Sequence, residues 1–144
     1  MSEFRSLTDA YSVAPQITLE DVAAAKDQGF ALIINNRPDG EEPSAPQGDA
    51  MAAACAAVGM AYAAVPISHS GFSHAQLDAF DKLISSATGP VLAYCRSGTR
   101  STHLWALARA RAGDDVNDIA NAASKGGYDL SGLFPMMEAL AGGK

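Results

Sequence analysis

The chain has 144 residues, 48% of them hydrophobic and 18% charged, a composition that excludes a disordered protein and suits one domain over residues 1–144. Ten Lys and Arg residues stand against 16 Asp and Glu residues, so the net charge at pH 7 is −6. An acidic chain without a basic run gains nothing from bulk charge near nucleic acid or anionic lipid, and we expect no nucleic-acid partner and no membrane partner.

The first part of the chain alternates strand and helix patterns. Residues 11–17 are typical of a short extended segment, in which Pro15 suits an edge strand. Thr18 is a typical helix N-cap, and acidic residues follow it in the first turn. The apolar run at 30–35 predicts a strand buried on both faces, and the stretch at 37–48, rich in Pro and Gly, predicts a loop.

The same alternation continues to the end of the chain. Ser73 and Gln76 form a capping-box pattern at the start of another helix. The other predicted elements are a helix over 49–58, a strand over 61–67, a strand over 91–95, a loop over 96–100, a helix over 101–112, and two helical stretches after residue 114 that are split around 126–127. Strands that alternate with helices predict a three-layer α/β fold, with a mainly parallel sheet of about four inner strands and helices on both faces.

The chain has two cysteines, Cys55 and Cys95, which are too few for a disulfide framework and lack a metal-ligand spacing. Cys55 lies in an Ala-rich helix, where we expect a small core residue. Residues 1–5 do not resemble a signal peptide, and no run approaches the roughly 18 apolar residues of a membrane helix. We therefore expect a cytoplasmic protein in a reducing compartment, with no metal and no cofactor.

The strongest chemical pattern is the segment VLAYCRSGTRST at 91–102. It places Cys95 at the carboxyl end of a buried strand and just before a helix, where open α/β sheets bind ligands. Backbone N–H groups of a tight loop around Gly98, together with those of the helix N-terminus, can hold one anion. The guanidinium of Arg100 adds a planar, two-pronged donor for an oxyanion.

These features favour the thiolate of Cys95, which is the nucleophilic form of the side chain. We therefore predict Cys95 and Arg100 as catalytic residues, and we expect the Ser101 hydroxyl where it could donate a hydrogen bond to the sulfur. The alternative is a tight turn with a structural cysteine, which leaves the combination of Cys, Gly and two Arg unexplained. The residues predicted to form the substrate- or anion-binding loop are Arg96, Ser97, Gly98, Thr99 and Ser101.

Over residues 4–107 the chain resembles the phosphatase-like domain that occurs alone and at the front of beta-lactamase-hydrolase-like proteins. The segments that carry the resemblance are VAPQI at 13–17, the stretch 29–43 with IINNRPDGEEP, and PVLAYCRSGTRS at 90–101. The resemblance implies a fold of the cysteine-dependent, dual-specificity phosphatase type, with Cys95 as nucleophile and Arg100 as anion binder. Members of this family are described as phosphatases or as sulfur transferases.

Two departures from the tyrosine-phosphatase pattern favour sulfur transfer. Four residues separate Cys95 from Arg100, where those phosphatases have five, and a shorter loop should crowd a tetrahedral phosphate. The order CRSGTRS instead resembles the active loop of rhodaneses, which carry a persulfide on cysteine. The second departure is a missing acid: the segment 65–71 has no carboxylate, and His69 is the residue there that could substitute, unless it is a solvated loop histidine.

A second group of polar residues follows the predicted strand at 30–35 and is expected on the same rim as Cys95. Its members are Arg37, Asp39, Glu41 and Glu42. Arg37 could widen the anion site as an accessory residue, and Asp39 could supply an acid from another loop. The alternative is a polar loop that turn chemistry alone explains.

The preferred interpretation is a rhodanese-type sulfurtransferase in which Cys95 carries sulfane sulfur as a persulfide, taken from a small-molecule donor such as thiosulfate. One alternative is a tyrosine- or dual-specificity-type phosphatase that hydrolyses a phosphoester through a phosphocysteine. Another is a non-catalytic module that binds an anion or a phosphorylated partner. The family resemblance also implies a sulfur-oxidising metalloenzyme as a fused or neighbouring partner.

Overall fold

The computed structural model describes residues 4–68 and 72–142, and these form five strands and six α-helices. The strands are β1 (Arg5–Thr8), β2 (Tyr11–Ala14), β3 (Leu32–Asn35), β4 (Ala61–Ala64) and β5 (Val91–Tyr94). The helices are α1 (Leu19–Asp27), α2 (Gly48–Ala57), α3 (His74–Ser86), α4 (Thr99–Ala112), α5 (Val116–Lys125) and α6 (Phe134–Gly142), with a 3-10 turn at Ser131–Leu133. The two helices predicted after residue 114 are confirmed, and so is the α/β class.

The strands form one sheet in the order β1-β2-β5-β3-β4. β2, β5, β3 and β4 run parallel, whereas β1 pairs antiparallel with β2. The sequence pattern does not predict β1, because Leu7 is the one buried residue among its four. The mainly parallel sheet is therefore confirmed, and a hairpin extends it by one strand. Three of its five strands, β2, β5 and β3, are inner strands, where about four were expected.

The structure corrects the predicted positions of two strands. The segment with Pro15 was expected at an edge, but β2 lies between β1 and β5 and ends at Ala14, so that Pro15 falls outside the ladder. The segment 61–67 was expected to be an inner strand, but β4 lies at the edge and ends at Ala64. A short apolar run does not reveal whether a strand has one neighbour or two.

Two apolar clusters, one on each face of the sheet, confirm the three-layer arrangement. Val91 and Ala93 of β5 pack into the cluster that α3, α4, α5 and α6 complete. Leu92 and Tyr94 point the other way, into the cluster of α1 and α2, as the two-residue period of a strand requires. Cys55 is buried in this second cluster, as predicted, and burial raises the pKa of its thiol to about 11.

The helix starts that the capping patterns predict are also confirmed. The Thr18 hydroxyl accepts the backbone N–H of Asp21, whose carboxylate accepts the N–H of Thr18. Ser73 and Gln76 form the same reciprocal pair at α3. Among the helices in the described part of the chain, none is both long and apolar enough to cross a bilayer.

Candidate active site

Cys95 directly follows β5, at the carboxyl edge of the sheet. Its side chain is 0% exposed, and its Sγ accepts a hydrogen bond of 3.1 Å from the backbone N–H of Gly98. The neighbouring strands β2 and β3 end beside it and contribute Gln16 and Asn36 to the surroundings of the loop. The sulfur therefore lies at the floor of the predicted loop with a main-chain donor directed at it.

The loop after Cys95 turns its carbonyl oxygens toward neighbouring segments. The carbonyl of Arg96 accepts the N–H of Gln16 (3.2 Å), that of Ser97 accepts the hydroxyl of Tyr128 (3.0 Å), and that of Gly98 accepts the N–H (2.9 Å) and hydroxyl (2.8 Å) of Thr102. In a trans peptide the C=O and N–H groups point in opposite directions. The outward carbonyls of Arg96 and Ser97 therefore leave the N–H groups of Ser97 and Gly98 on the inner side, as in an anion-binding loop. The N–H of Thr99 instead donates to the Ser97 hydroxyl oxygen at 3.4 Å.

Helix α4 begins at Thr99, two residues before the predicted start at 101. Its N-cap is Gly98, whose φ of +89° lies in the left-handed region that favours glycine. Thr99 and Arg100 are therefore in the first turn of the helix rather than in a loop. The first N–H groups of a helix have no partner within it, and the N-terminus carries a partial positive charge, so α4 adds to the attraction for an anion beside Cys95.

The guanidinium of Arg100 is held on one side. Its Nη1 donates to the Ile67 carbonyl (2.7 Å) and to Glu41 Oε2 (2.9 Å), and its Nη2 donates to Glu41 Oε1 (2.6 Å). A guanidinium has five N–H hydrogens, and these contacts leave the Nε hydrogen and one on Nη2, which together form its side-on fork. The pKa of Arg100 is raised chiefly by the hydrogen bond with Glu41, and also by the neighbouring Cys95 side chain.

Glu41 lies on the rim of the site, as its position after β3 predicts. Its carboxylate accepts hydrogen bonds from both Arg100 and Arg37, the latter at 2.7 Å through Nε. The hydrogen bond with Arg100 is the main reason why the pKa of Glu41 falls to about 2. Glu41 is therefore a carboxylate at neutral pH, and Arg37 holds it in place while also donating to Gln16 (3.0 Å).

Asp39 binds the start of α2. Its Oδ1 accepts the backbone N–H of Gly48 at 2.8 Å. Glu42 closes a local turn, because it accepts from the N–H and hydroxyl of Ser44. The contact of Asp39 agrees with the alternative of a polar loop shaped by turn chemistry. Among the described residues, Asp39 has no contact with Cys95.

The expected hydrogen bond from Ser101 to the Cys95 sulfur is wrong. Ser101 is fully buried, and its hydroxyl donates to Asn36 Oδ1 at 2.7 Å. The amide nitrogen of Asn36 donates to the Val65 carbonyl at 2.8 Å, and because a carbonyl only accepts, the amide oxygen must face Ser101. The single hydroxyl hydrogen of Ser101 is therefore used by Asn36.

The remaining predicted loop residues contribute their main chain. The side chains of Arg96, Ser97 and Thr99 are exposed, and the Ser97 hydroxyl donates to that of Thr99 at 2.9 Å. His69, the candidate substitute acid, lies outside the described residues.

Two residues that the sequence pattern did not single out complete the site. Asn36 is 0% exposed and joins β3 to α4 through Ser101. The one feature of the sequence that could have pointed to Asn36 is its position, since it is a polar residue directly after a run expected to be buried. Tyr128 reaches the loop from the turn after α5, and no local pattern marks it.

The comparisons with known proteins agree with this geometry. Residues 3–112 match the family described as the phosphatase-like domain of the beta-lactamase hydrolase-like protein. A beta-lactamase hydrolase-like protein of Agrobacterium fabrum is 36% identical over 133 residues, which cover 92% of this chain and 31% of that protein. The chain spans about a third of the length of the curated relatives that it matches.

Solved structures share the whole architecture. A candidate phosphatase from Neisseria meningitidis Z2491 has a TM-score of 0.83 and 31% identity, covering 94% of this chain and 96% of that one. P. aeruginosa TpbA, solved as a cysteine-to-serine variant in complex with pTyr, has a TM-score of 0.64 and 13% identity, covering 94% of this chain and 86% of that one. The second likeness concerns the fold alone, and together they confirm the dual-specificity-phosphatase-like fold.

Proposed function

The chain belongs to the family of phosphatase-like domains of beta-lactamase hydrolase-like proteins, and we propose that it is a phosphatase that hydrolyses phosphomonoesters through Cys95. The observation that carries the proposal is the Cys95 sulfur, which accepts the Gly98 N–H and lies close enough to Arg100 for its charge to raise the pKa of that guanidinium. The family and the shared fold favour this alternative over the sulfur transfer that the loop motif first suggests.

The reaction has two displacements at phosphorus. The Cys95 thiolate attacks, an S–P bond forms, and the P–O bond to the leaving group breaks with its electron pair. Water then attacks the phosphocysteine, the S–P bond breaks, and orthophosphate and the thiolate are released. In this proposal the N–H groups of Ser97 and Gly98 and the side-on fork of Arg100 stabilise the oxygens of the phosphoryl group in both steps.

The rim carboxylates make a poor acid for the leaving group. Glu41 has a pKa of about 2, so it holds no proton at neutral pH, and its contacts are with Arg100 and Arg37. Asp39 is bound to the start of α2. Among the residues that the structure describes, these rim carboxylates supply no proton to the leaving oxygen. A leaving oxygen that receives no proton must be stable as an anion, so we propose that aryl phosphates are better substrates than alkyl phosphates.

A substrate series tests this function. We expect hydrolysis of p-nitrophenyl phosphate and phosphotyrosine, with kcat/KM falling steadily as the leaving phenol becomes less acidic, and a far lower kcat/KM for phosphoserine. Cys95→Ser should abolish all of it while keeping the fold, as judged by circular dichroism. Equal rates on aryl and alkyl phosphates would contradict the leaving-group argument, and hydrolysis that survives Cys95→Ser would overturn the assignment of the nucleophile.

Sulfur transfer is a second candidate, which the spacing of four residues between Cys95 and Arg100 favours. In this reaction the thiolate attacks the outer sulfur of thiosulfate, the S–S bond breaks, and sulfite leaves with the electron pair. The persulfide then passes its outer sulfur to an acceptor such as cyanide. Formation of thiocyanate by the same preparation, without hydrolysis of aryl phosphate, would favour this second candidate.

A further inference from the structure

The peptide between Ser97 and Gly98 is held at both ends. The hydroxyl of Tyr128 donates to the Ser97 carbonyl at 3.0 Å, and the N–H of Gly98 donates to Cys95 Sγ at 3.1 Å. The two groups belong to one planar peptide and point in opposite directions. Rotation of this peptide would therefore break both hydrogen bonds together, so the contact with Tyr128 sets the direction of the donor that faces the sulfur.

Tyr128 is itself fixed in place. Its side chain is 8% exposed, and its backbone N–H donates to the Ala123 carbonyl at 2.9 Å. The guanidinium carbon of Arg5 lies 5.4 Å from the centre of the Tyr128 ring, and Arg5 Nη1 donates to the Gly126 carbonyl at 3.4 Å. Tyr128 lies beyond residues 3–112, the part of the chain that matches the family.

The contact between Tyr128 and the loop is close. A Cβ added at Gly98 would overlap the Tyr128 hydroxyl and would lie 2.9 Å from its ring carbon Cζ. The tyrosine thus packs directly on the turn that follows Cys95, and the turn has no space to move toward it.

We propose that Tyr128 is a positioning residue for Cys95, acting through the Ser97–Gly98 peptide. Donation to the carbonyl end of a peptide polarises its N–H end, so the hydrogen bond from Gly98 to the thiolate is both oriented and strengthened. The proposal deepens the proposed function, since it concerns the same nucleophile, but it concerns the sulfur itself and holds for phosphoryl and sulfur transfer alike.

Other charged or titratable groups also face the sulfur and stay unchanged in the test. Arg100 lies beside it on α4, and Glu41 contacts that guanidinium from the loop after β3. Tyr11 of β2 is a further neighbour, since burial, followed by the charges of Cys95 and Tyr128, raises the pKa of its hydroxyl. The Tyr11 hydroxyl donates to the Ser101 carbonyl at 2.9 Å.

The test is a pH titration of the Cys95 thiolate by its ultraviolet absorbance, with the matching Cys95→Ser protein subtracted each time. Tyr128→Phe keeps the ring and loses the donor, so we expect the midpoint to rise by roughly 0.5 to 1 pH unit, the size of one modest hydrogen bond. Tyr62→Phe is the matched control, because it removes a hydroxyl that accepts from Asn35 at 3.1 Å. Its midpoint should equal that of the wild type.

A second variant reaches Tyr128 indirectly. Arg5→Gln removes the cation over the ring and should move the midpoint in the same direction by a smaller amount. If Tyr128→Phe does not fold, the titration midpoint of Arg5→Gln still tests the role of Tyr128. Unchanged midpoints in the foldable variants, or a shift that Tyr62→Phe reproduces, would overturn the proposal. Because the titration uses no substrate, failure of the proposed function appears separately, as absent hydrolysis with an intact midpoint shift.

Discussion

Glu41 and Arg100, 59 positions apart in the chain, form a two-pronged ion pair with N···O distances of 2.6 and 2.9 Å. The carboxylate uses the Nη1–Nη2 end of the guanidinium and leaves the side-on fork for the region of Cys95. The pair ties the loop after β3 to the first turn of α4. Its effect is to orient the arginine rather than to supply a proton.

Replacing Arg100 with Lys tests the importance of the fork. Lysine keeps the charge but lacks the two planar edges with which arginine can bind Glu41 and an oxyanion at the same time. We therefore expect kcat/KM for p-nitrophenyl phosphate to fall roughly 10- to 100-fold. Arg109→Lys is the matched control on the same helix, since Arg109 forms its own two-pronged pair with Asp114 at 2.7 and 3.1 Å. Equal activity of the two variants would contradict the role of the fork.

The pH dependence of the free energy of unfolding tests the Glu41 pair. The pKa of Glu41 is about 2 in the folded protein against an ordinary 4.5, so its ionised form stabilises the fold. That contribution is complete above pH 4.5 and is lost as the pH falls from 4.5 toward 2. The difference in Tm between wild type and Glu41→Gln should therefore be largest near pH 6 and shrink below pH 4.5. Glu138→Gln, at an exposed position of α6, is the surface control. If the difference in Tm between wild type and Glu41→Gln instead grew as the pH fell, the predicted direction of the pH dependence would be wrong.

Ser101→Ala separates two possible uses of its hydroxyl. The structure places the hydroxyl hydrogen on Asn36, so removing it leaves a buried amide oxygen without its donor and should cost about 1–3 kcal/mol of stability. The titration midpoint of the Cys95 thiolate should stay constant. Ser86→Ala, which removes an exposed hydroxyl that donates to a carbonyl at 3.2 Å, should change the stability by less than about 0.5 kcal/mol. A raised midpoint in Ser101→Ala would instead identify the serine as a donor to the sulfur.

Two glycine substitutions separate backbone strain from the contact with Tyr128. Gly59 has a φ of +74° with nothing within 4 Å of an added Cβ, so Gly59→Ala should cost only the roughly 1–2 kcal/mol of a left-handed alanine. Gly98 has a φ of +89°, and its Cβ would also overlap the Tyr128 hydroxyl. Urea denaturation should therefore show a larger loss for Gly98→Ala, and equal losses would contradict the close packing of tyrosine on the loop.

The elements around the site follow from local chemistry and could be predicted. Capping patterns at Thr18 and Ser73 mark helix starts because the side chain and the backbone that it caps are three residues apart. The positions of Cys95 and Gly98 could also be predicted from nearby residues alone. Cys95 follows an apolar run that forms a strand, and Gly98 lies in the turn before α4.

The contacts that complete the site join distant segments, and local patterns do not report them. Tyr128 is 31 residues from Ser97, and Asn36 is 65 residues from Ser101. The direction of the Ser101 hydroxyl also depends on the Val65 carbonyl, through the Asn36 amide, so it follows only when β3 and β4 have been placed side by side.

Mass spectrometry of the intact protein, quenched in acid during turnover of an aryl phosphate, tests the central claim most directly. We predict one added phosphoryl group, localised to the peptide with Cys95 and absent from Cys95→Ser. Glu41→Gln, which keeps the nucleophile, should still form it. A phosphoryl group on another residue, or a Cys95 that acquires only sulfur from thiosulfate and never phosphorus, would contradict the phosphatase assignment.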